Sequence, residues 1–235
     1  MEPLIPQILY EDKHLLVAVK PAGWLSEPGG GKSFPDLLSA CLTRQGKPGE
    51  IFTVHRLDRV VGGVMVFART SKAAGVLTQA IAQRTVGKEY LAVLRGVPSQ
   101  EQATLEDLLF RDASKNKTFV VKRMRKGVRD ASLSYRLLGQ TEREGQALSL
   151  VAVELHTGRT HQIRVQFSSR QLPLLGDIRY GSKDPGCETA LWSRCLRFVH
   201  PVTGKPMEFL QLPPAAYPWD LFDRELLQAP LAPEG

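Results

Sequence analysis

The segment Val54-His-Arg-Leu-Asp-Arg59 sets one carboxylate among guanidinium groups, and nearby positive charge favours the ionised form. Asp58 is therefore suited to act as a nucleophile or a base. The plainer reading of the same residues is an ion pair at a strand end. Other chemistries find less support. His55, His156, His161 and His200 include no pair at the i, i+4 spacing of a helical metal site, and no cysteine lies beside them, so no metal is expected. No G-x-S-x-G sequence exists to present a serine nucleophile. Gly29-Gly-Gly-Lys-Ser33 lacks the leading glycine of a P-loop, because Ser26 stands at that position, and reads as a glycine-rich surface loop. A glycosidase-type pair of carboxylates, Asp58 with Asp177, stays open at this point.

The elements that must position Asp58 follow from periodicity. Ile8 to Gly23 reads as two strands around a charged turn at Glu11 to His14, stopped by Pro21 and Gly23. Apolar residues at Phe34, Leu37, Leu38, Cys41 and Leu42 have a helical period, with Ser33 or Asp36 as the cap. A short strand at Ile51 to Val54 and a buried strand at Gly63 to Ala68 leave His55 to Val61 on a connecting loop. Ser71 to Ala82 suits an amphipathic helix, Lys88 to Leu94 a strand closed by Gly96, and Ala131 to Leu138 and Ala147 to Leu155 two more strands. After Leu212 the chain turns Pro-rich and is expected to end in a short helix and a frayed tail.

With 43% hydrophobic and 23% charged residues over 235 positions, the composition excludes wholesale disorder and allows a large core. No apolar run approaches the roughly 20 residues that span a bilayer, so no membrane partner is expected. No basic segment followed by an apolar run opens the chain, and a cytoplasmic protein is the expectation. Cys41, Cys187 and Cys195 form no C-x-x-C pair and read as reduced thiols. A net charge of +7 makes a polyanionic partner plausible. The cations Arg111, Lys115, Lys117, Lys122, Arg123, Arg125, Lys126 and Arg129, with Arg159 and Lys183, could neutralise phosphates, the bland alternative being a solvated basic face.

Four segments, in order and spacing, resemble the RluA-type pseudouridine synthases from about Ile8 to Leu212. They are Lys20-Pro-Ala-Gly23, His55-Arg-Leu-Asp58, Lys88-Glu-Tyr-Leu-Ala-Val-Leu-Arg-Gly96, and Leu155-His-Thr-Gly-Arg-Thr-His-Gln-Ile-Arg164 followed by Gly176-Asp177 and Tyr180-Gly181. His200-Pro-Val-Thr-Gly204 matches a further family turn. Two positions depart from the family pattern. Arg59 is followed by Val60-Val-Gly-Gly63 where many members read D-T-S-G, and Trp192 stands near a position often filled by histidine.

The resemblance implies an α+β fold with a mixed, largely antiparallel bent sheet flanked by helices and loops. It implies a single catalytic domain over 1–235, core about 8–212, acting on ribosomal or transfer RNA without a cofactor. The chain starts almost at the catalytic hairpin, so the S4 domain that many relatives carry is not expected here, and a monomer is the expectation. By the same resemblance Asp58 is the catalytic residue, Tyr90 the aromatic group against the detached uracil, and Arg164 the cation paired with the aspartate, while Ile163 packs beneath the base. Arg56 is assigned to fill the gap left by a flipped base, His55 to orient the loop, and Arg59 and Arg159 to contact the RNA. The residues alone also allow Tyr90 and Ile163 as core side chains and Arg164 as a phosphate contact or solvated strand residue. The runner-up reading is a catalytically silent RNA-binding protein of this fold.

Overall fold

Two of the strands nearest the N-terminus are apolar along nearly their whole length, which requires cover on both faces. The computed structural model describes residues 5–184 and 186–231. In chain order its elements are β1 (Gln7–Glu11), β2 (Leu15–Lys20), α1 (Phe34–Arg44), β3 (Phe52–Thr53), β4 (Gly62–Ala68), α2 (Ser71–Ala82), β5 (Gly87–Arg95), β6 (Gln102–Asp112), β7 (Lys117–Val121), β8 (Val128–Arg143), β9 (Gln146–Leu155), α3 (Gln162–Ser168), β10 (Leu191–Val199), β11 (Pro206–Leu210) and α4 (Arg224–Gln228). The chain forms two compact units, Met1–Gly87 with Ser193–Gln211 and Lys88–Trp192 with Leu212–Gly235. The sequence shows no linker between them, because the first unit is completed by chain that returns through β10.

In the first unit β2 lies antiparallel to both β1 and β4, and β4 is flanked by β10, which carries β11 at its edge. Every residue of β2 and β4 is buried. Leu15, Val17, Val64 and Val66 share one face and pack with Ala73 and Leu77 of α2 and with Leu196 and Phe198 of β10. On the opposite face Phe67 meets Phe34 of α1 at 5.9 Å. The helices cover both faces and explain the absence of polar alternation in the two strands. Ser33 caps α1 by accepting from the Asp36 amide at 3.3 Å, and Thr70 caps α2 by accepting from Ala73.

The second unit is an antiparallel ladder in the order β5-β9-β8-β6-β7. β8 and β9 are joined by a two-residue turn at Glu144 and Gly145, both at positive φ, as a tight hairpin matched to strand twist requires. α3 packs on β6 and β7, where Val165 and Tyr180 join Leu109 and Ala131 in a small core. The expected C-terminal helix is α4, while the end of the expected tail, residues 232–235, lies outside the described residues. Among those described, no helix is long and apolar enough to cross a membrane.

Candidate active site

Asp58 sits, half-buried, on the connecting loop between β3 and β4, as the sequence predicts. Two devices fix this loop. The hydroxyl of buried Ser26 donates to Leu57 O at 2.8 Å and accepts from Leu57 N at 3.1 Å, clamping the residue before Asp58 by both backbone groups. Gly23 N donates to Arg59 O at 2.8 Å, and Arg59 Nε donates back to Gly23 O at 3.0 Å, clamping the residue after it. The fully buried Lys20 reinforces the second clamp, its Nζ donating to Trp24 O at 2.8 Å, Pro21 O at 3.0 Å and Arg59 O at 3.5 Å. The Lys20-Pro-Ala-Gly23 and His55-Arg-Leu-Asp58 segments thus form one construction. Chain distance hides this pairing in the sequence, although an isolated lysine ending an apolar strand is a signal that it must find oxygen partners.

His55 Nε2 accepts from the Val66 amide at 3.1 Å, tying the start of the loop to the middle of β4. Val61 N closes a turn onto Asp58 O at 2.9 Å. Gly63 has φ +123°, and a Cβ there would lie 2.2 Å from the carbonyl oxygen of Ser193, so only glycine allows the loop to enter β4 beside β10. Arg56 projects outward and pairs with Glu27 at 3.0 Å, both side chains more than half exposed.

In the second unit Arg164 is in a helix, which corrects the expectation that it projects from a strand. The seven residues of α3 start from His161 in a left-handed conformation (φ +56°), and Gln162 to Phe167 are all buried. The preceding turn is held by Gln162, whose Oε1 accepts from Thr157 Oγ1 at 2.7 Å and Arg159 N at 3.0 Å. Arg159 leans on Asp130, donating to its carbonyl at 2.8 Å and its carboxylate at 3.3 Å. Ile163 is buried, as is Tyr90 on β5 opposite Val153 of β9.

Within this unit Arg164 makes a bidentate pair with Asp177, Nε to Oδ2 at 2.6 Å and Nη2 to Oδ1 at 2.8 Å. Its guanidinium also lies 5.0 Å from the Tyr180 ring centroid. The Tyr180 hydroxyl accepts from Thr118 N at 2.9 Å and meets His161 Nδ1 at 2.8 Å. Burial leads the causes that raise the Tyr180 pKa, so its phenol stays protonated at neutral pH. Asp177 and Tyr180 thus surround Arg164, and His161 meets Tyr180, contacts that the sequence reading did not assign to them. Asp177 is 1% exposed with both oxygens on Arg164, which removes it as the second carboxylate of a glycosidase pair.

A family model described as RNA pseudouridylate synthase matches residues 14–169, a span that includes His55-Arg-Leu-Asp58, Tyr90 and Arg164. The chain belongs to this family. The ribosomal large subunit pseudouridine synthase D of Xanthomonas campestris pv. campestris is 35% identical over 218 residues, covering 85% of this chain and 63% of that protein. An uncharacterized RNA pseudouridine synthase of Bacillus subtilis, YhcT, is 33% identical over 200 residues, covering 83% and 65%. The chain spans just under two thirds of the length of these relatives. Among solved structures, human RNA pseudouridylate synthase domain containing 1 matches with a TM-score of 0.78 over 100% of both chains at 22% identity, which shows the α+β fold.

Proposed function

We propose that the protein isomerises uridine to pseudouridine in ribosomal or transfer RNA, with Asp58 as the catalytic residue. The observation that carries this reading is the loop holding Asp58: Ser26 clamps it on one side and Lys20, Gly23 and Arg59 on the other, leaving the carboxylate on rigid backbone. The reaction breaks C1′–N1, forms C1′–C5, returns a proton to N1 and releases the C5 proton to water, so it needs neither cofactor nor oxidant. Asp58 attacks the sugar or base, or removes a sugar proton to give a glycal. Tyr90 offers its ring to the detached uracil and its phenol oxygen to C5.

By the family resemblance Arg164 is the cation of the catalytic set and Ile163 the support for the base. Arg56 is suited to fill the gap of a flipped nucleotide, since an exposed pair such as the one it makes with Glu27 is worth at most about 1 kcal/mol and is readily exchanged. His55 orients the loop, its Nε2 being occupied by the Val66 amide. Arg59 and Arg159 contact RNA with whatever donors their protein carbonyl and carboxylate partners leave. The 1–235 chain acts as one catalytic domain, as a monomer in the cytoplasm.

The test is release of tritium from ribosomal and transfer RNA labelled at uracil C5. Wild type releases tritium from one of the two pools, and Asp58→Asn reduces release to background with an unchanged circular dichroism spectrum. Tight RNA binding without release from either pool would instead establish a silent RNA-binding protein.

A further inference from the structure

Residues 111–129 hold eight cations and one carboxylate, Asp112, so this segment alone matches the chain's formal net charge of +7. Among the described residues only Lys115 of the eight has a carboxylate within 4 Å, at 3.9 Å from Asp112. The others are unneutralised, and all but Lys117 are exposed. Concentrating like charge without counter-charge costs stability, so the arrangement calls for an anionic partner.

The β6–β7 hairpin gives this charge a rigid base. Its inner face is anchored: Leu109 and Val120 pack against Val165 and Tyr180, Thr118 N donates to Tyr180, and Thr118 Oγ1 donates to Thr160 O at 2.9 Å. The tip is held by Arg179, which donates to Asn116 O at 2.8 Å. Strand alternation turns Phe110 and Phe119, paired directly across the ladder, to the outer face, where both remain half-exposed. Lys115 and Lys117 stand 6.0 and 5.8 Å from the Phe119 centroid and Arg125 stands 5.0 Å from Phe110. Cations for phosphates interleaved with rings for bases are the two parts of a single-strand platform. Duplex RNA, with its bases stacked inside, would use only the first.

We propose that the outer face of the β6–β7 hairpin, together with the β7–β8 loop at 122–127, is a docking surface for unpaired RNA. The surface holds nucleotides of the substrate strand other than the reacting uridine, and in this it rests on the RNA-modifying reading above. Its test reads binding alone, so the two stand or fall separately. Anisotropy of a short fluorescein-labelled oligouridylate is followed against salt, with an RNA duplex of equal length and polyglutamate as competitors.

For the triple variant Lys122→Gln/Arg123→Gln/Lys126→Gln, whose side chains make no hydrogen bond or ion pair among the described residues, the slope of log K against log salt falls by about 2, at about 0.7 per phosphate contact. Phe119→Leu weakens oligouridylate at least about fivefold with no change in slope and leaves duplex binding as it was. An unchanged slope in the triple variant overturns the proposal, as does competition by polyglutamate equal to that by RNA. Duplex binding as tight as oligouridylate with Phe119→Leu silent overturns the choice of unpaired RNA. If these shifts occur while wild type releases no tritium, the surface stands and the isomerase reading falls.

Discussion

Arg164 and Asp177 face each other through two parallel hydrogen bonds of 2.6 and 2.8 Å, their side chains 4% and 1% exposed. Burial of both charges makes the pair costly to break: removing one partner of a buried pair typically loses about 3–5 kcal/mol. Asp177→Ala is expected to lose that much in urea unfolding. The double variant Arg164→Met/Asp177→Leu, which removes both charges and keeps apolar volume, is expected to lose less than Asp177→Ala alone. Additive losses across the cycle would show that the pair is not coupled.

Lys20 connects the turn at 21–24 to the loop that carries Asp58, with three carbonyl oxygens around its ammonium. Lys20→Met preserves the stem and removes this donor from Pro21 O and Trp24 O, while Arg59 O keeps the Gly23 amide, and each buried unsatisfied group costs about 1–3 kcal/mol. The expected result is a variant about 3 kcal/mol less stable that remains folded at low temperature. Its tritium release should drop through kcat with KM nearly unchanged, because the Asp58 loop loses its placement while the exposed cations of the protein are untouched. Lys20→Arg should not restore the rate, since a guanidinium does not fit a fully buried slot shaped for an ammonium.

Much of this architecture is legible in the sequence because it rests on local periodicity. The α2 boundaries match the expectation residue for residue, and α1 takes in the whole apolar period from Phe34 to Leu42 with Ser33 as its cap, since caps and apolar spacing set both. α3 is not legible. Its seven residues are buried nearly all round, so no apolar stripe marks a period, and two β-branched residues, Ile163 and Val165, suggest a strand. The four motifs bearing Asp58, Tyr90 and Arg164 can be read in order, but the partners that hold them cannot. Asp177 is 13 positions from Arg164 and Arg59 is 39 from Lys20, and such pairings exist only after the chain has folded back.

Gly63 and Gly75 should respond oppositely to alanine. At Gly63 the new methyl would stand 2.2 Å from Ser193 O and 2.6 Å from Ser193 N, both backbone atoms of the adjacent β10, and the residue has φ +123°. Gly63→Ala is expected to lose more than about 4 kcal/mol, the exceptional range for single substitutions, and to be recovered mainly as insoluble protein. Gly75 lies exposed within α2, and a methyl added there would meet nothing within 4 Å. Gly75→Ala should raise stability by about 0.8–1 kcal/mol through helix propensity, read as a higher urea midpoint at unchanged slope.

Asp12 ties the β1–β2 turn to the turn after β10 and makes the first unit sensitive to acid. Its carboxylate accepts from the His14 and Leu15 amides, both at 2.7 Å, from Tyr10 OH at 3.1 Å and from His200 Nε2 at 2.9 Å. His200 Nδ1 accepts from the Val202 and Thr203 amides, which leaves Nε2 as the nitrogen that carries the proton toward Asp12. Burial opposes ionisation of Asp12, but the two amide bonds and then His200 and Tyr10 outweigh it, and its pKa falls below the ordinary value of 3.8. A lowered native pKa means that the unfolded chain binds the proton more readily in acid. The stabilisation from Asp12 is therefore complete above the unfolded pKa of about 3.9 and is lost as pH falls through the native value. Asp12→Asn should reduce stability by about 1–3 kcal/mol at pH 7, in the range for hydrogen bonds to a charged group. Urea unfolding of both proteins from pH 7 to pH 2 should show that difference constant down to about pH 4 and shrinking below it. A difference that stays constant to pH 2 would mean that the charge on Asp12 contributes nothing to holding the two turns together.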